Sequence, residues 1–322
     1  MERRREEVMA APQPASSRAA YLFLTLMAVC FGGTWVAGKV AVASIPPLTL
    51  AATRFALASV LLWGWARTRR GGRRAAVADI PLILGMGLTA VAAYNVLFLY
   101  GLRLAPASDG AIIVPGMVPI LAAALARPVL GERIGRWGIA GLATALAGLV
   151  FVMAPSGGAG STRFLGDVLF FLGAGCWAIY AVIGKTATAR FSPVNATLYA
   201  TVTGTLFLLP FALAERGWNS LRAAPGAAWA GLLYLGIFGT VLAFVFFYEG
   251  VKRIGAGRAA SFAFLVPIFG VVSSILMLGE RLVPLTTVGG LLVLVGLWLV
   301  QRQPAGEPST VATAVTSDPA RG

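Results

Sequence analysis

Positive charges inside long apolar stretches are the features of this sequence best suited to chemistry. Arg54 is the most deeply placed of them, seven residues into the apolar stretch 47–66. A charge inside hydrocarbon is costly, so such a residue is a functional candidate. One hypothesis is that Arg54 binds the carboxylate of a solute or forms a gating ion pair. The alternative is that it reaches a lipid phosphate or bonds to a helix carbonyl.

Two further pairs of charged residues stand near the ends of apolar stretches. Lys39 and Lys185 occupy matching places in two similar segments. Either their long side chains snorkel to the aqueous boundary, or they act as gates on opposite faces. Glu132 and Glu280 also match each other. We expect both at the aqueous boundary, where they pair with the arginine that follows each of them or cap neighbouring helices.

Prolines and polar or aromatic residues at similar depth indicate where a binding site lies. We predict that Pro115 and Pro119 break the fourth apolar helix and that Pro267 breaks the ninth, which frees carbonyl groups. The matched pair Pro119 and Pro267 then indicates a central cavity, and a purely structural kink is the alternative. Asn95 is the sharpest polar candidate, because an amide in hydrocarbon needs partners. The other candidates, each also suited to packing or bonding between helices, are Thr34, Trp35, Tyr94, Trp177, Tyr180 and Ser261.

Several kinds of chemistry are excluded by residue types. The chain has no histidine, so zinc sites and histidine-based triads are excluded, and no metal or cofactor is predicted. Cys30 and Cys176 lie in apolar runs and are interpreted as packing residues. None of the 12 Asp and Glu residues lies near the middle of an apolar stretch. A membrane-embedded proton carrier is therefore not evident, which favours facilitated diffusion or exchange.

The composition requires a membrane around these residues. Hydrophobic residues make up 58% of the 322 residues and charged residues 12%, and the mean hydropathy is +0.83. The charged share is about half that of a soluble protein. A crossing helix needs roughly 20 apolar residues. We predict an all-α polytopic membrane protein with ten transmembrane helices, at 19–43, 47–66, 80–102, 107–129, 136–154, 165–186, 193–215, 228–248, 257–278 and 284–301.

Charge predicts the orientation of these spans. Residues 1–18 and 303–322 are rich in Pro, Ala, Ser, Thr and charge, so we predict disordered tails. The first span is longer than a signal-peptide core and is expected to be retained. With the N-terminus inside, the tails and inner connections hold 19 Lys and Arg residues and the outer connections five. This bias predicts two cytoplasmic termini. It also explains the net charge of +14, so no nucleic-acid partner is predicted.

An internal repeat organises the ten spans. With an offset of 148, residues 99–152 match 247–300 at 14 of 54 positions. An offset of 146 relates the earlier helices of each half. The chain therefore divides into two five-helix repeats, at 19–154 and 165–301. Because five is odd, the second copy crosses the membrane upside down, an inverted arrangement typical of alternating-access carriers.

These repeats resemble the EamA family of the drug/metabolite transporter superfamily. In each repeat, an aromatic residue precedes a lysine by eight positions in the first helix, and a proline precedes Gly-Glu-Arg in the fourth. The resemblance covers roughly residues 20–302. One departure is visible: Phe31 stands where members commonly carry tryptophan, as Trp177 does in the second repeat. Trp35, one helical turn later, is suited to replace the ring.

The resemblance implies a ten-helix transporter, often an exporter of amino acids or other metabolites. We expect an alternating-access carrier that exports a small organic metabolite such as an amino acid, and no enzymatic activity. Efflux of toxic compounds or drugs is the alternative. A non-transporting scaffold and a membrane-embedded lipid enzyme are hypotheses of other classes; the short connections and the lack of an acid or histidine cluster disfavour them. The expected setting is the bacterial inner membrane, with lipid and a small-molecule solute as partners.

Overall fold

Ten long helices form the part of the chain that the computed structural model describes, residues 15–68, 75–130, 136–156, 161–254, 259 and 261–301. All ten are long and apolar enough to cross a membrane, and these residues contain no strand. The predicted all-α polytopic fold is therefore confirmed. The helices are α1 (Ala15–Val42), α2 (Pro47–Thr68), α3 (Val77–Leu104), α4 (Ala107–Leu130), α5 (Arg136–Met153), α6 (Thr162–Arg190), α7 (Pro193–Glu215), α8 (Gly226–Ile254), α9 (Ser261–Leu278) and α10 (Pro284–Gln301).

The observed boundaries differ from the predicted ones mainly at two places. The helix α8 continues to Ile254 rather than ending at residue 248. The hydropathy of the sequence falls after residue 248. Glu249 and Arg253 nevertheless form an i,i+4 ion pair at 3.5 Å, and a pair at this spacing stabilises a helix. The helix α1 begins at Ala15, inside the stretch 1–18 that we predicted to be a tail. The remaining tail predictions, for residues 1–14 and 303–322, fall outside the described residues.

Local sequence explains several helix ends. Pro47 stands at the first position of α2, where its missing N–H costs little. Ser161 caps α6, and its hydroxyl accepts a hydrogen bond from the Phe164 N–H at 3.1 Å. The helices α7 and α9 both stop at a residue in the left-handed conformation, Arg216 with φ 55° and Gly279 with φ 66°.

Successive helices cross in opposite directions, so the bundle has two ends. We call the end at which α1 begins and α10 ends the terminal face, and the opposite end the far face. The first repeat comprises α1–α5 and the second α6–α10. The packing follows this relation, because α4 packs on α6 while their equivalents α9 and α1 pack on each other.

The last helices of the two repeats, α5 and α10, approach at backbone distance through glycines. A Cβ atom built on Gly148 would lie 2.7 Å from the Gly289 carbonyl oxygen, and one built on Gly141 would lie 2.6 Å from that of Gly296. The repeat relates Gly141 to Gly289 and Gly148 to Gly296. Each helix therefore packs against its own copy, and glycine is required because no side chain fits between them.

The predicted break of the fourth helix is wrong, whereas the ninth helix changes its backbone geometry just before Pro267. The helix α4 is continuous over Ala107–Leu130 although it contains Pro115 and Pro119. A proline removes one N–H donor, but packing of α4 on α6 and on α9 supports the helical backbone on both sides. In α9, a 3-10 helical segment over Ser261–Phe264 precedes the α-helical segment Leu265–Leu278, in which Pro267 stands third. The missing N–H of a proline is tolerated in such a first turn.

We expect Gly148→Ala to destabilise the protein. The added methyl group meets backbone atoms rather than a movable side chain, so α5 and α10 must separate, at the usual overpacking cost of about 1–3 kcal/mol. The midpoint of thermal unfolding in detergent measures this effect. Gly175→Ala is the matched control, because a Cβ atom there meets nothing within 4 Å. Equal midpoints for the two variants would contradict the packing argument.

Candidate functional site

A cavity of about 240 Å³ lies between the two repeats in the middle of the bundle. Every helix except α5 and α10 contributes described residues to its lining. Most of these residues are aromatic or aliphatic, with a few polar groups among them. Such a lining is typical of a small-molecule site, where apolar walls bury the ligand and a few polar groups orient it.

The cavity lies on the approximate twofold axis that relates the repeats, because equivalent residues from both repeats line it. The equivalent lining pairs, at offsets of 146 or 148, include Phe31 and Trp177, Thr34 and Tyr180, Arg54 and Ala200, Pro115 and Ala263, and Val118 and Val266. The positions are symmetric but the charge is not, since the counterpart of Arg54 is Ala200. A solute in this cavity therefore meets positive charge from one side.

Arg54 supplies that charge on the cavity wall. The residue is only 6% exposed, and its guanidinium carbon lies 4.4 Å from the centre of the Phe55 ring. Its Nε atom is buried without a hydrogen-bond partner, and among the described residues no carboxylate forms an ion pair with it. A buried, unpartnered cationic donor is unfavourable alone, so it offers a place for an anionic group.

Asn95 shapes the wall that α3 contributes. This helix widens into a π-helix over Gly87–Ala93. The Asn95 amide nitrogen donates to the carbonyl oxygens of Ala90 and Val91 at 3.1 and 2.9 Å, which satisfies carbonyls in the irregular segment. Both hydrogen bonds use the amide nitrogen and orient the amide group. The Oδ1 atom is therefore the polar atom of this side chain that is left for another partner. That oxygen is buried without a partner and offers an acceptor beside the cavity.

A second π-helix occurs at the equivalent place in α8, over Ile237–Leu242. The Thr240 hydroxyl donates to the carbonyl oxygen of Leu235, five residues earlier, at 2.9 Å. Both Gly239 and Thr240 line the cavity. Each repeat therefore presents one π-helix to the cavity, each supported by a side-chain donor, and such segments are frequent at functional sites.

Aromatic rings form much of the remaining wall. Tyr94 and Trp177 pack edge to face with ring centres 4.8 Å apart, and Trp177 packs on Tyr180 at 5.3 Å. On the other side, Phe31 meets Phe244 at 5.8 Å, also edge to face. These rings come from both repeats, so relative motion of the repeats changes the shape of the cavity.

Eight of the twelve predicted site residues line the cavity. They are Thr34, Trp35, Arg54, Tyr94, Asn95, Pro119, Trp177 and Tyr180. Pro267 is buried in α9 but does not contribute to the lining. Ser261 is exposed at the start of α9, and Ala263 and Val266 line the cavity instead. The side chain of Lys185 lies outside the described part of the structure.

Lys39 lies at the far face rather than in the cavity. Its Nζ atom donates to the carbonyl oxygens of Leu102 and Ala105, at 2.5 and 2.7 Å, at the C-terminal end of α3. Glu280 caps the start of α4, which is one of the two alternatives expected from its position. Its counterpart Glu132 falls outside the described residues.

The lining residues with polar or aromatic side chains that were not selected from the sequence include Thr197, Thr201, Thr240 and Phe244. Thr197 and Thr201 stand one turn apart on α7, the repeat equivalent of the helix that carries Arg54. That spacing and relation would have identified them. Nothing in the local sequence near Thr240 indicates a π-helix, so this part of the site required the structure.

Ten membrane-spanning helices, two inverted repeats and a central cavity on their shared axis define a membrane transporter for small solutes. The sequence matches the EamA-like transporter family twice, at residues 18–154 and 164–302. The chain belongs to this family of transporters and is a multi-pass protein of the cell membrane.

Curated relatives agree with this class. A protein of Streptantibioticus cattleyicolor named "Probable terminal-alkyne amino-acid exporter" is 31% identical and is matched over 90% of this chain and 96% of its own. "Uncharacterized transporter YyaM" of Bacillus subtilis is 28% identical, over 86% and 92%. "Probable amino-acid metabolite efflux pump" of Salmonella typhimurium is 27% identical, over 85% and 92%. A solved crystal structure with 18% identity shares the fold, with a TM-score of 0.59 over 88% of this chain and 97% of its own.

We expect the side-chain donors to hold the two π-helices independently. Asn95→Leu removes the donor to Ala90 and Val91, so amide hydrogen exchange should accelerate in Gly87–Ala93 and remain unchanged in Ile237–Leu242. Thr240→Val, which preserves the side-chain shape, should produce the reverse pattern. Each variant serves as the control for the other. Unchanged exchange in both segments would show that backbone packing alone maintains them.

Proposed function

We propose that this protein exports small amphipathic organic acids, of which amino acids are the expected substrate class, by alternating access. The observation that carries the proposal is Arg54, a buried cation that lines the cavity without a described carboxylate partner. A solute carboxylate would supply the missing charge through a charge-assisted hydrogen bond.

The other polar groups of the cavity fit the rest of such a solute. The unpartnered Oδ1 atom of Asn95 would accept a hydrogen bond from a solute ammonium group. The rings of Tyr94, Trp177 and Tyr180 would pack against an apolar side chain and also favour a nearby cation. The cavity volume of about 240 Å³ limits the solute to a small molecule.

The predicted orientation of the chain supports export as the direction of transport. If both termini are cytoplasmic, the terminal face is the inner face. The cavity comes within a few residues of that face at α7 and α9, where Thr197 and Ala263 line it. A cytoplasmic solute would therefore enter the arrangement described here. The names of the relatives from Streptantibioticus cattleyicolor and Salmonella typhimurium also include amino-acid export or efflux.

The lining of the cavity favours facilitated diffusion or exchange over proton coupling. No described residue of the lining is an Asp or a Glu. A proton-coupled carrier commonly places a carboxylate in the membrane to take up the proton. We therefore propose that the solute gradient, or exchange against a second solute, drives transport.

Efflux of toxic compounds is the second candidate function. The aromatic and aliphatic lining favours it, because such walls accept many apolar molecules. Arg54 would select neutral or anionic compounds and disfavour hydrophobic cations. The two functions differ in whether an unmodified amino acid crosses the membrane.

We expect Arg54→Gln to lower the efflux of labelled amino acids from proteoliposomes by about tenfold or more, because it removes a charge-assisted hydrogen bond to the carboxylate. Arg67→Gln on the same helix is the matched control, since Arg67 is exposed and stacks on the Trp63 ring at 3.7 Å. The wild-type rate should not change when a proton gradient is imposed.

Two results would oppose this proposal. If Arg54→Gln and Arg67→Gln lowered the efflux rate equally, Arg54 would have no specific part in solute binding. If the wild-type protein exported no amino acid, amino acids would be excluded as the substrate class. Efflux of toxic compounds would then be the favoured function. Amino-acid amides, which lack the carboxylate, should not compete with the labelled substrate; competition by them would also contradict a carboxylate site.

A further inference from the structure

We propose that Glu215 and Glu280 form a gate at the far face. Each carboxylate locks the start of a first-repeat helix to the end of a second-repeat helix, and both contacts are released when the cavity opens to that face. The inference rests on the alternating access of the proposed function, but it concerns residues outside the cavity and does not depend on the identity of the solute.

Glu280 joins α9 to α4. Its two carboxylate oxygens accept hydrogen bonds from the N–H groups of Ala107 and Ser108 at 2.8 and 2.9 Å. These are the first two residues of α4, whose amides have no acceptor within the helix. The negative charge also interacts favourably with the helix dipole. Gly279, in the left-handed conformation, ends α9 immediately before Glu280.

Glu215 joins α7 to α2 in the same way. It is the last residue of α7, and its carboxylate accepts the N–H groups of Leu48 and Thr49 at 3.2 and 2.7 Å. The Thr49 hydroxyl donates a third hydrogen bond at 2.8 Å. Thr49 is fully buried and Glu215 is half-buried, so this contact lies where the packed helices meet the surface of the far face.

The Glu215 contact is specific to the far face. An exact inverted repeat would place an equivalent carboxylate on the terminal face. With the offset of 146 that relates Pro47 to Pro193, the residue equivalent to Glu215 is Arg69, which carries the opposite charge. The two faces therefore cannot close by identical contacts, and the far face has a carboxylate lock that the repeat does not duplicate.

Aromatic rings form a second barrier beneath these locks. Trp35 is 3% exposed and packs edge to face on Phe98 and Phe170 at 5.1 and 5.8 Å. Arg54 and Val114 are the cavity residues nearest the far face on α2 and α4. Each lies seven residues below its helix start, or about 10 Å. The described conformation therefore separates the cavity from the far face by a ring cluster and a charged layer.

Water makes these contacts suitable for a gate. A buried polar contact that opens into hydrocarbon leaves unsatisfied groups, whereas one that opens into water exchanges one set of hydrogen bonds for another. Both carboxylates and the helix starts that they cap lie at an aqueous boundary. Opening these contacts into water therefore costs less free energy than opening them into hydrocarbon would.

Electron paramagnetic resonance distances across the far face test the gate. Spin labels at Ala43→Cys and Ser220→Cys, in a background without the native cysteines, report the separation of the repeats at exposed positions. Glu280→Gln should raise the ratio of long-distance to short-distance populations about tenfold, because a neutral amide is a weaker acceptor. Glu215→Gln should act in the same direction. Neither labelled residue takes part in the hydrogen bonds of Glu280, which join it to Ala107 and Ser108.

Glu249→Gln is the matched control, because Glu249 pairs with Arg253 within its own helix near the terminal face. Its distance ratio should equal that of the unsubstituted protein. Ala107→Pro provides an independent variant, because it removes one N–H donor to Glu280 but keeps the carboxylate and suits a helix start. It should shift the ratio in the same direction as Glu280→Gln.

The thermal unfolding midpoint of each variant separates a gate from a structural cap. Variants that unfold at lower temperature but retain the control distance ratio would overturn the proposal. So would variants in which neither quantity changes. If the ratio shifts while no amino acid is transported, the gate stands and the proposed substrate class fails.

Discussion

Hydrocarbon offers no hydrogen-bond partner, so each polar backbone group in a membrane protein must be satisfied by the protein itself or reach water. This constraint explains why the described residues form helices, and it also explains their most specific side-chain contacts. Asn95 and Thr240 donate to carbonyls in or beside the π-helices. Lys39 binds carbonyls at the end of α3, and Glu215 and Glu280 accept the free amides of α2 and α4.

The duplicated architecture applies the same constraint twice, with differences in charge between the two repeats. Matched glycines bring α5 and α10 together in a nearly symmetric contact. The cavity is symmetric in position but has its arginine on one side only. The far-face lock at Glu215 has Arg69 as its counterpart. Symmetry thus relates the two repeats, and we propose that the asymmetric charges govern where a solute binds and how the far face closes.

Prediction from sequence succeeded where one residue and its spacing determine the outcome. Apolar length predicted all ten helices, and the repeat offset relates the residues that line the cavity from both sides. Arg54 and Asn95 were selected because a charge and an amide are costly in hydrocarbon; both line the cavity, and their part in solute binding stays a prediction. The predicted break of α4 at its prolines was wrong, because neighbouring helices decide whether a missing N–H bends the backbone. The π-helices were missed, because their side-chain donors are ordinary residues whose effect depends on local backbone geometry.

The sequence by itself determined the class of protein, the number of spans and the inverted repeat, because hydrophobic length and internal similarity are properties of the chain alone. Only the tertiary structure decided which residues share the cavity and which face is closed. Thr197 and Phe244 reach the cavity through helix packing, and Glu280 meets Ala107 across 173 residues of sequence. Such contacts depend on the relative placement of helices, which many weak packing interactions determine together.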